Sequence, residues 1–344
     1  MLDGIRTERK VQMAAKITTK DVWSNRVVAS ERLSVSKYNK VLIVTPFCYP
    51  NVGGAETFTE DLAKVLGNKS TVHICTIKWD KPILWEGKNL KGGFRFLCKL
   101  LPALRKMTRK YKYQKVYALG FIASVACILA RVKFSAIMLC LYDFKKPSLF
   151  VKAILNKAKE VFVEGNRCKQ DMLTAGVDKS RIIKFQHWCD QSVFQYVERN
   201  NKKLKVLFIG RAIKRKGKHI IEGCESLTKD IKYTYVENVP YKELVTYYKA
   251  ADVVVVPSLY TESFSRVVAE AASCGCVVIA SNYGSLPEMV TPFGICIPPT
   301  AYNFSLELIK LSKDRALLER KQTKTAWYAK EHFSEKNADC FLLR

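Results

Sequence analysis

Asp252-Val-Val-Val-Val-Pro257, then Glu262-Ser-Phe-Ser-Arg-Val-Val-Ala-Glu270, then a stop at Gly275, reads as strand, loop and helix. Two glutamates eight residues apart do not share a helix face, because that spacing overshoots two turns by roughly 80°. The pair therefore reads as one loop carboxylate at a helix start and one carboxylate inside the helix. Such a place suits a ligand lying across a helix N-terminus, where free N–H groups and the dipole attract anions. Two ordinary glutamates on a solvated helix would look the same in isolation, so the neighbouring segments have to decide.

Outward from this stretch the alternation recurs. Val277–Ile279 reads as the next strand, and Asn282-Tyr-Gly-Ser-Leu-Pro-Glu288 as a glycine loop opening a helix. Upstream, Lys205-Val-Leu-Phe-Ile209 is a strand, Gly210 to Lys218 a glycine- and base-rich loop, and His219 begins a helix that leads to a strand at Tyr233–Val236. The first half follows the same plan. Lys40-Val-Leu-Ile-Val-Thr-Pro46 is a strand and Pro50-Asn-Val-Gly-Gly-Ala-Glu56 its loop. A helix over Phe58–Leu66 stops at Gly67, and strands follow at Thr71–Ile77, Lys115–Tyr117, Ala136–Leu141 and Glu160–Val163. Strands regularly alternating with helices predict the α/β class, here as two doubly wound, Rossmann-like domains facing a cleft. The expected division is a loosely ordered extension over 1–38, a first domain over 39–198, a second over 204–320 and a helical segment over 321–344. The polar stretch Glu198-Arg-Asn-Asn-Lys-Lys203 is the expected linker.

A chain of 344 residues has room for two cores. Its net charge of +27 implies an anionic partner: a nucleic acid, a membrane surface or a phosphorylated substrate. Twelve cysteines without Cys-x-x-Cys spacing, and only four histidines, fit reduced buried thiols in a cytosolic protein better than zinc ligands or disulfides. No apolar leader is read in residues 1–38. The longest apolar run, Val116 to Ala130, falls short of the roughly 17–25 residues that cross a bilayer, and reads as a strand followed by a buried helix.

Three loops join the glutamates as carriers of chemistry. Gly53-Gly54 follows the first strand, where adjacent glycines let backbone N–H groups approach a phosphate. Arg211 and Lys216 follow the first strand of the second half, and two cations there suit a diphosphate. Glu288 ends the loop after Val277–Ile279. In this order and spacing the segments resemble the retaining glycosyltransferases of family four, with the GT-B fold, over about Lys40 to Pro298. Gly53-Gly54-Ala-Glu56 resembles the family's Gly-Gly-x-Glu loop, Glu262 to Glu270 its Glu-x7-Glu block, and Arg211 and Lys216 its diphosphate-holding pair.

That resemblance implies transfer of a sugar from a nucleotide-sugar donor to a hydroxyl acceptor, with the donor held mainly by the second domain and the acceptor by the first. It implies catalytic roles for Glu262, Arg211 and Lys216. It implies donor contacts from Gly53, Gly54, Glu270, Phe264 and Ser265, with Glu270 on the ribose. Neither a metal nor another cofactor is expected. The family's usual histidine is replaced, in Leu139-Cys-Leu-Tyr142-Asp143, by Tyr142, which donates a hydrogen bond but carries no positive charge. A silent nucleotide-sugar-binding protein is the alternative that this change keeps open. A basic nucleic-acid-binding protein explains the charge but not the glutamates.

Between Glu86 and Asp143 stand twelve lysines and arginines and no acidic residue. Phe94, Leu97, Leu101, Leu104, Met107 and Tyr111 recur there at helical spacing, with Pro102 expected to open a second helix. The stripe reads either as an amphipathic element resting on an anionic leaflet or as a domain helix with its apolar side inward. The first reading predicts a peripheral protein on the cytosolic face of a membrane, working on a lipid-linked or cell-envelope glycan.

Overall fold

The computed structural model describes residues 39–47, 53–77, 90–139, 149–237, 239–262 and 264–342. Tyr142 lies outside them, as does the extension at 1–38. The first half alternates β1 (Lys40–Val44), α1 (Gly54–Gly67), β2 (Thr71–Cys75), α2 (Leu90–Lys110), β3 (Lys115–Leu119), α3 (Phe121–Leu129), β4 (Ser135–Met138), α4 (Leu149–Leu155), β5 (Val161–Glu164), α5 (Gly165–Thr174) and β6 (Ile182–Phe185). Its six strands pair in parallel in the order β2-β1-β3-β4-β5-β6. The second half runs β7 (Leu204–Ile209), α6 (Lys218–Leu227), β8 (Ile231–Val236), α7 (Tyr241–Ala250), β9 (Val253–Val256), α8 (Arg266–Ser273), β10 (Val277–Ser281), α9 (Leu286–Val290), β11 (Ile295–Ile297), α10 (Ala301–Lys313) and α11 (Arg315–His332). Its five strands are ordered β11-β10-β9-β7-β8, again all parallel.

The predicted pair of doubly wound sheets is therefore what forms. In each, the chain winds outward in both directions from its first strand, leaving a switch point between β1 and β3 and another between β7 and β9. Ligands of such sheets bind beyond the strand C-termini at this point, since diverging loops leave a crevice there. Apolar runs made the strands visible because both faces are covered: β9 is four valines, all buried.

Helices coat both faces of the first sheet and split its core in two. Leu100 and Leu104 of α2, Ala123 and Ala126 of α3 and Val151 of α4 pack on one face. Phe58, Leu62, Tyr117, Phe162 and Trp188 fill the other. Trp188 belongs to this first core, whereas Cys189 and Phe194 already belong to the second, so the handover falls upstream of the polar stretch at 198–203. After α11 the chain returns: a 3₁₀ turn over Glu335–Phe341 seats Phe341 against Phe58, Phe162 and Phe185 of the first core.

Helix α2 departs from expectation at its proline. It runs through Pro102 without a break. A proline there forfeits one backbone bond at a cost of about 3 kcal/mol, offset by burial of Leu100, Leu104 and Met107 on either side. Those residues also decide between the two readings of the stripe. Leu104 is fully buried and Met107 nearly so, while Lys99, Arg105, Lys106 and Arg109 face outward. The apolar side is spent on the domain core, and among the described side chains of α2 Phe94, 70% exposed, is the large apolar one turned to solvent.

Candidate functional site

The loop after β7 turns through a short 3₁₀ segment, Lys214–Lys216, and ends at Gly217 with φ +74°. A side chain at Gly217 would put its Cβ 2.0 Å from the Pro257 carbonyl oxygen, so only glycine lets this loop lie against the end of β9. The Leu259 N–H, donating to the Arg215 carbonyl at 2.8 Å, fastens the two loops together. This brings Lys216 Nζ to 2.8 Å from Glu262 Oε1, and the Ser258 hydroxyl donates to the same oxygen. A third loop closes on them. Gly284, at φ +61°, sits so close that a Cβ would lie 2.6 Å from the Glu262 nitrogen, and the Ser285 N–H donates to the Glu262 carbonyl at 2.9 Å.

Glu262 is thus almost wholly buried and held by three successive loops at the switch point of the second sheet. Burial works to lower the Lys216 pKa, but Glu262 and Tyr260 outweigh it and raise the value, keeping the ammonium charged. Its Nζ lies 5.2 Å above the Tyr260 ring. Among the described residues the buried Ser285 hydroxyl has no hydrogen-bond partner. Arg211 is exposed on the same loop as Lys216. In the first turn of α1, burial raises the pKa of Glu56 against the lowering pull of a backbone hydrogen bond and of the Arg211 charge. Gly53 precedes α1 in extended conformation and Gly54 opens it, exposed, with a Cβ there reaching only the Arg266 side chain at 3.8 Å.

Glu270 sits elsewhere. Its carboxylate is buried in α8, accepting from the Tyr248 hydroxyl at 2.9 Å and from Arg266 Nε at 3.2 Å, and burial raises its pKa. Arg266 goes on to reach across the cleft, donating to Asp61 of α1 at 2.8 Å. It also contacts His187 at 2.9 Å and the Tyr241 hydroxyl at 2.9 Å. His187 in turn meets Glu164 at 2.7 Å, and burial together with the Arg266 charge holds its pKa well below the ordinary value. Phe264 stacks on this imidazole at 4.4 Å, and the Ser265 N–H donates to the Met289 sulfur at 3.4 Å. Glu288 spans the halves as well, accepting from the Asn166 N–H at the start of α5 at 3.1 and 3.2 Å.

Of the residues singled out in the sequence, Lys216, Glu262 and Arg211 come together on the cleft, with Gly53 and Gly54 opposite. Glu270, Phe264 and Ser265 lie in the packed layer behind. Among the described residues there is no group of three His, Cys, Asp or Glu side chains able to hold a metal ion. Sequence reasoning missed Asp61, Glu164, His187, Tyr260 and Arg266. Arg266 carried one signal: it is a lone cation in an apolar helical run, one turn before Glu270.

Residues 191–332 match the family described as glycosyl transferases group 1. That match takes in the whole of the second sheet, β7 to β11. A Klebsiella pneumoniae protein, known as an uncharacterized 41.2 kDa protein in the cps region, is 28% identical over 255 residues, 64% of this chain and 66% of its own length. The D-inositol 3-phosphate glycosyltransferase of Streptomyces bingchenggensis is 40% identical over 99 residues, 28% of this chain but 22% of that protein. Among solved structures, sucrose-phosphate synthase of Thermosynechococcus elongatus superposes with a TM-score of 0.72 at 19% identity, covering 88% of this chain and 97% of that one. HepE of Anabaena in complex with UDP-glucose gives 0.68 at 15% identity, over 88% and 99% of the two chains. WaaG, a glycosyltransferase involved in lipopolysaccharide biosynthesis, gives 0.63 at 14%, over 87% and 99%. The likeness to these structures across both parallel sheets shows the GT-B fold. No helix among the described residues is long and apolar enough to cross a membrane.

Proposed function

We propose that the chain is a nucleotide-sugar-dependent glycosyltransferase of the family-four type, which transfers its sugar to a hydroxyl acceptor with retention of configuration. The observation that carries this reading is the Lys216–Glu262 pair at the switch point of the second sheet, with Arg211 on the same loop. Lys216 and Arg211 would take the charge of the departing diphosphate, which is stabilisation aimed at where negative charge develops. The two cations make a divalent ion unnecessary, and turnover should survive a chelator. Glu262, freed from Lys216 as the diphosphate arrives, would face the donor sugar, and Gly53-Gly54 would close on it from the first half. HepE structures carrying UDP and UDP-glucose support a nucleotide-sugar donor. The cps-region relative and WaaG support an acceptor in the cell envelope, lipid-linked or part of a surface glycan. The outward basic side of α2 supports a peripheral position on an anionic membrane face.

A second reading, donor binding without turnover, rests on Tyr142, which stands where the family's usual histidine is expected and carries no positive charge. One experiment separates the two readings: nucleoside diphosphate release from UDP-, GDP- and ADP-sugars, with and without envelope lipid extract, and repeated with EDTA. Release from one donor, raised by lipid and lost in Lys216→Ala, supports transfer. Saturable donor binding without release supports the silent reading.

A further inference from the structure

The first half carries another charged depression, at the edge of its sheet that points away from the cleft. The loops of the cleft follow the strand C-termini, whereas Lys112–Tyr113 and Arg131–Lys133 precede β3 and β4 and lie at the opposite edge. Between them opens a groove of about 920 Å³. Arg105, Arg109 and Lys112, at the end of α2, form one wall, and Arg131 and Lys133, in the turn from α3 to β4, form the other. A furrow of about 580 Å³ continues along α2 past Lys106 and Lys110.

Two observations set this groove apart from an ordinary basic surface. First, its cations lack counter-charges. Arg105 donates to the Leu129 carbonyl at 3.0 Å, but among the described residues none of the five wall cations forms an ion pair. The carboxylate at this edge, Glu160, is held by Lys115 at 3.4 Å and the Ser135 hydroxyl at 2.9 Å. Like charges drawn together without a partner repel, and the fold tolerates that repulsion here. Second, Arg131 is the one non-glycine residue with positive φ, +58°, among those described. It stands just past the end of α3, where glycine is the usual solution because a Cβ disfavours the left-handed conformation. Attraction to the carbonyl end of α3 accounts for a cation at that point. It does not account for Arg105, Arg109 and Lys112 converging on the same space from α2.

We infer that this groove is an anion site for a phosphoryl group, supplied by a phosphorylated lipid head or by a free phosphate compound. Arginines on both walls offer paired N–H donors at an angle suited to phosphate oxygens, with lysines adding point charge. The site is independent of the donor reading: a chain that transferred no sugar would still carry it.

The test uses the full chain bearing Lys216→Ala, which removes the cation paired with Glu262 in the cleft. Inorganic pyrophosphate is titrated calorimetrically, and flotation is measured with phosphatidylcholine vesicles with and without phosphatidate. In that background, Arg109→Gln/Lys133→Gln should weaken pyrophosphate binding about tenfold or more. Arg131→Gly should weaken it too while melting no lower than its parent, since glycine relieves the backbone. Loss of pyrophosphate binding and of phosphatidate-dependent flotation together supports a lipid head. Loss of the former alone supports a free phosphate compound. Unchanged pyrophosphate affinity in both variants, or preference for a duplex oligonucleotide over both phosphate probes, overturns the inference.

Discussion

After β1 and after β7 the chain makes the same move, a glycine loop leading into a helix, yet the two loops are built differently. Gly217 and Gly284 in the second half both have positive φ, and each is pressed against the backbone of a neighbouring loop, at 2.0 Å from the Pro257 oxygen and 2.6 Å from the Glu262 nitrogen for an added Cβ. Gly53 is extended, and a Cβ there would touch the carboxylate end of Glu56, which can swing aside. Gly54 is exposed with space around it. The second half therefore fixes Lys216 and Glu262 through interlocked backbones, whereas a Cβ at Gly53 or Gly54 would meet only side chains.

The comparison can be broken most severely where the halves are tied together. Arg266→Met strands Asp61 and Glu270 without their cation, and urea unfolding should show a loss of about 4 kcal/mol. Adding Asp61→Leu should restore part of it, and failure to do so would place the strain in Glu270 alone. Next comes Lys216→Ala, expected to slow sugar transfer about 10²–10³-fold in initial rates, or about 3 kcal/mol in barrier. A rate within threefold of the parent would take the pair out of catalysis. The contrast between the loops is tested by alanine at their glycines. Gly217→Ala should cost about 2–3 kcal/mol, since its Cβ meets fixed backbone, and Gly53→Ala about 0.5 kcal/mol or less. Equal losses at the two positions would dissolve the contrast.

The last test is in pH. Burial and Arg266 keep His187 neutral well below 6.5, so on acidification the unfolded chain takes up a proton that the folded chain refuses. Stability attributable to His187 is present above 6.5 and falls below it, by about 1.4 kcal/mol one unit lower. The raised carboxyls of Glu56, Asp61 and Glu270 act in the opposite sense. The comparison is therefore made with His187→Gln, whose melting temperature should drop less than the parent's between neutral pH and one unit below 6.5. An equal drop would mean that His187 titrates freely.

Central strands were legible because burial on both faces writes them as apolar runs, as in Val253–Val256. The edge strands β6 and β11 were not, although the edge strands β2 and β8 were. In β6 two residues are half-buried and one is exposed, and β11 has three residues, none fully buried, so neither carries a distinctive pattern. The continuity of α2 through Pro102 depended on packing against another element, which local preference does not encode. At the site, the Lys216 and Glu262 segments were visible as motifs, and the two residues meet because each loop follows a neighbouring strand. The network around Arg266 was hidden for a different reason. Its partner Asp61 lies 205 residues away, and nothing short-range in either segment points to the other.

The return of the chain after α11 bears on the order of events during synthesis. Phe341 packs among Phe58, Phe162 and Phe185, so the first half has a gap in its core until residue 341 has left the ribosome. Domains made early in translation ordinarily finish folding early. Here the half that is made first is completed last, and the two halves mature together.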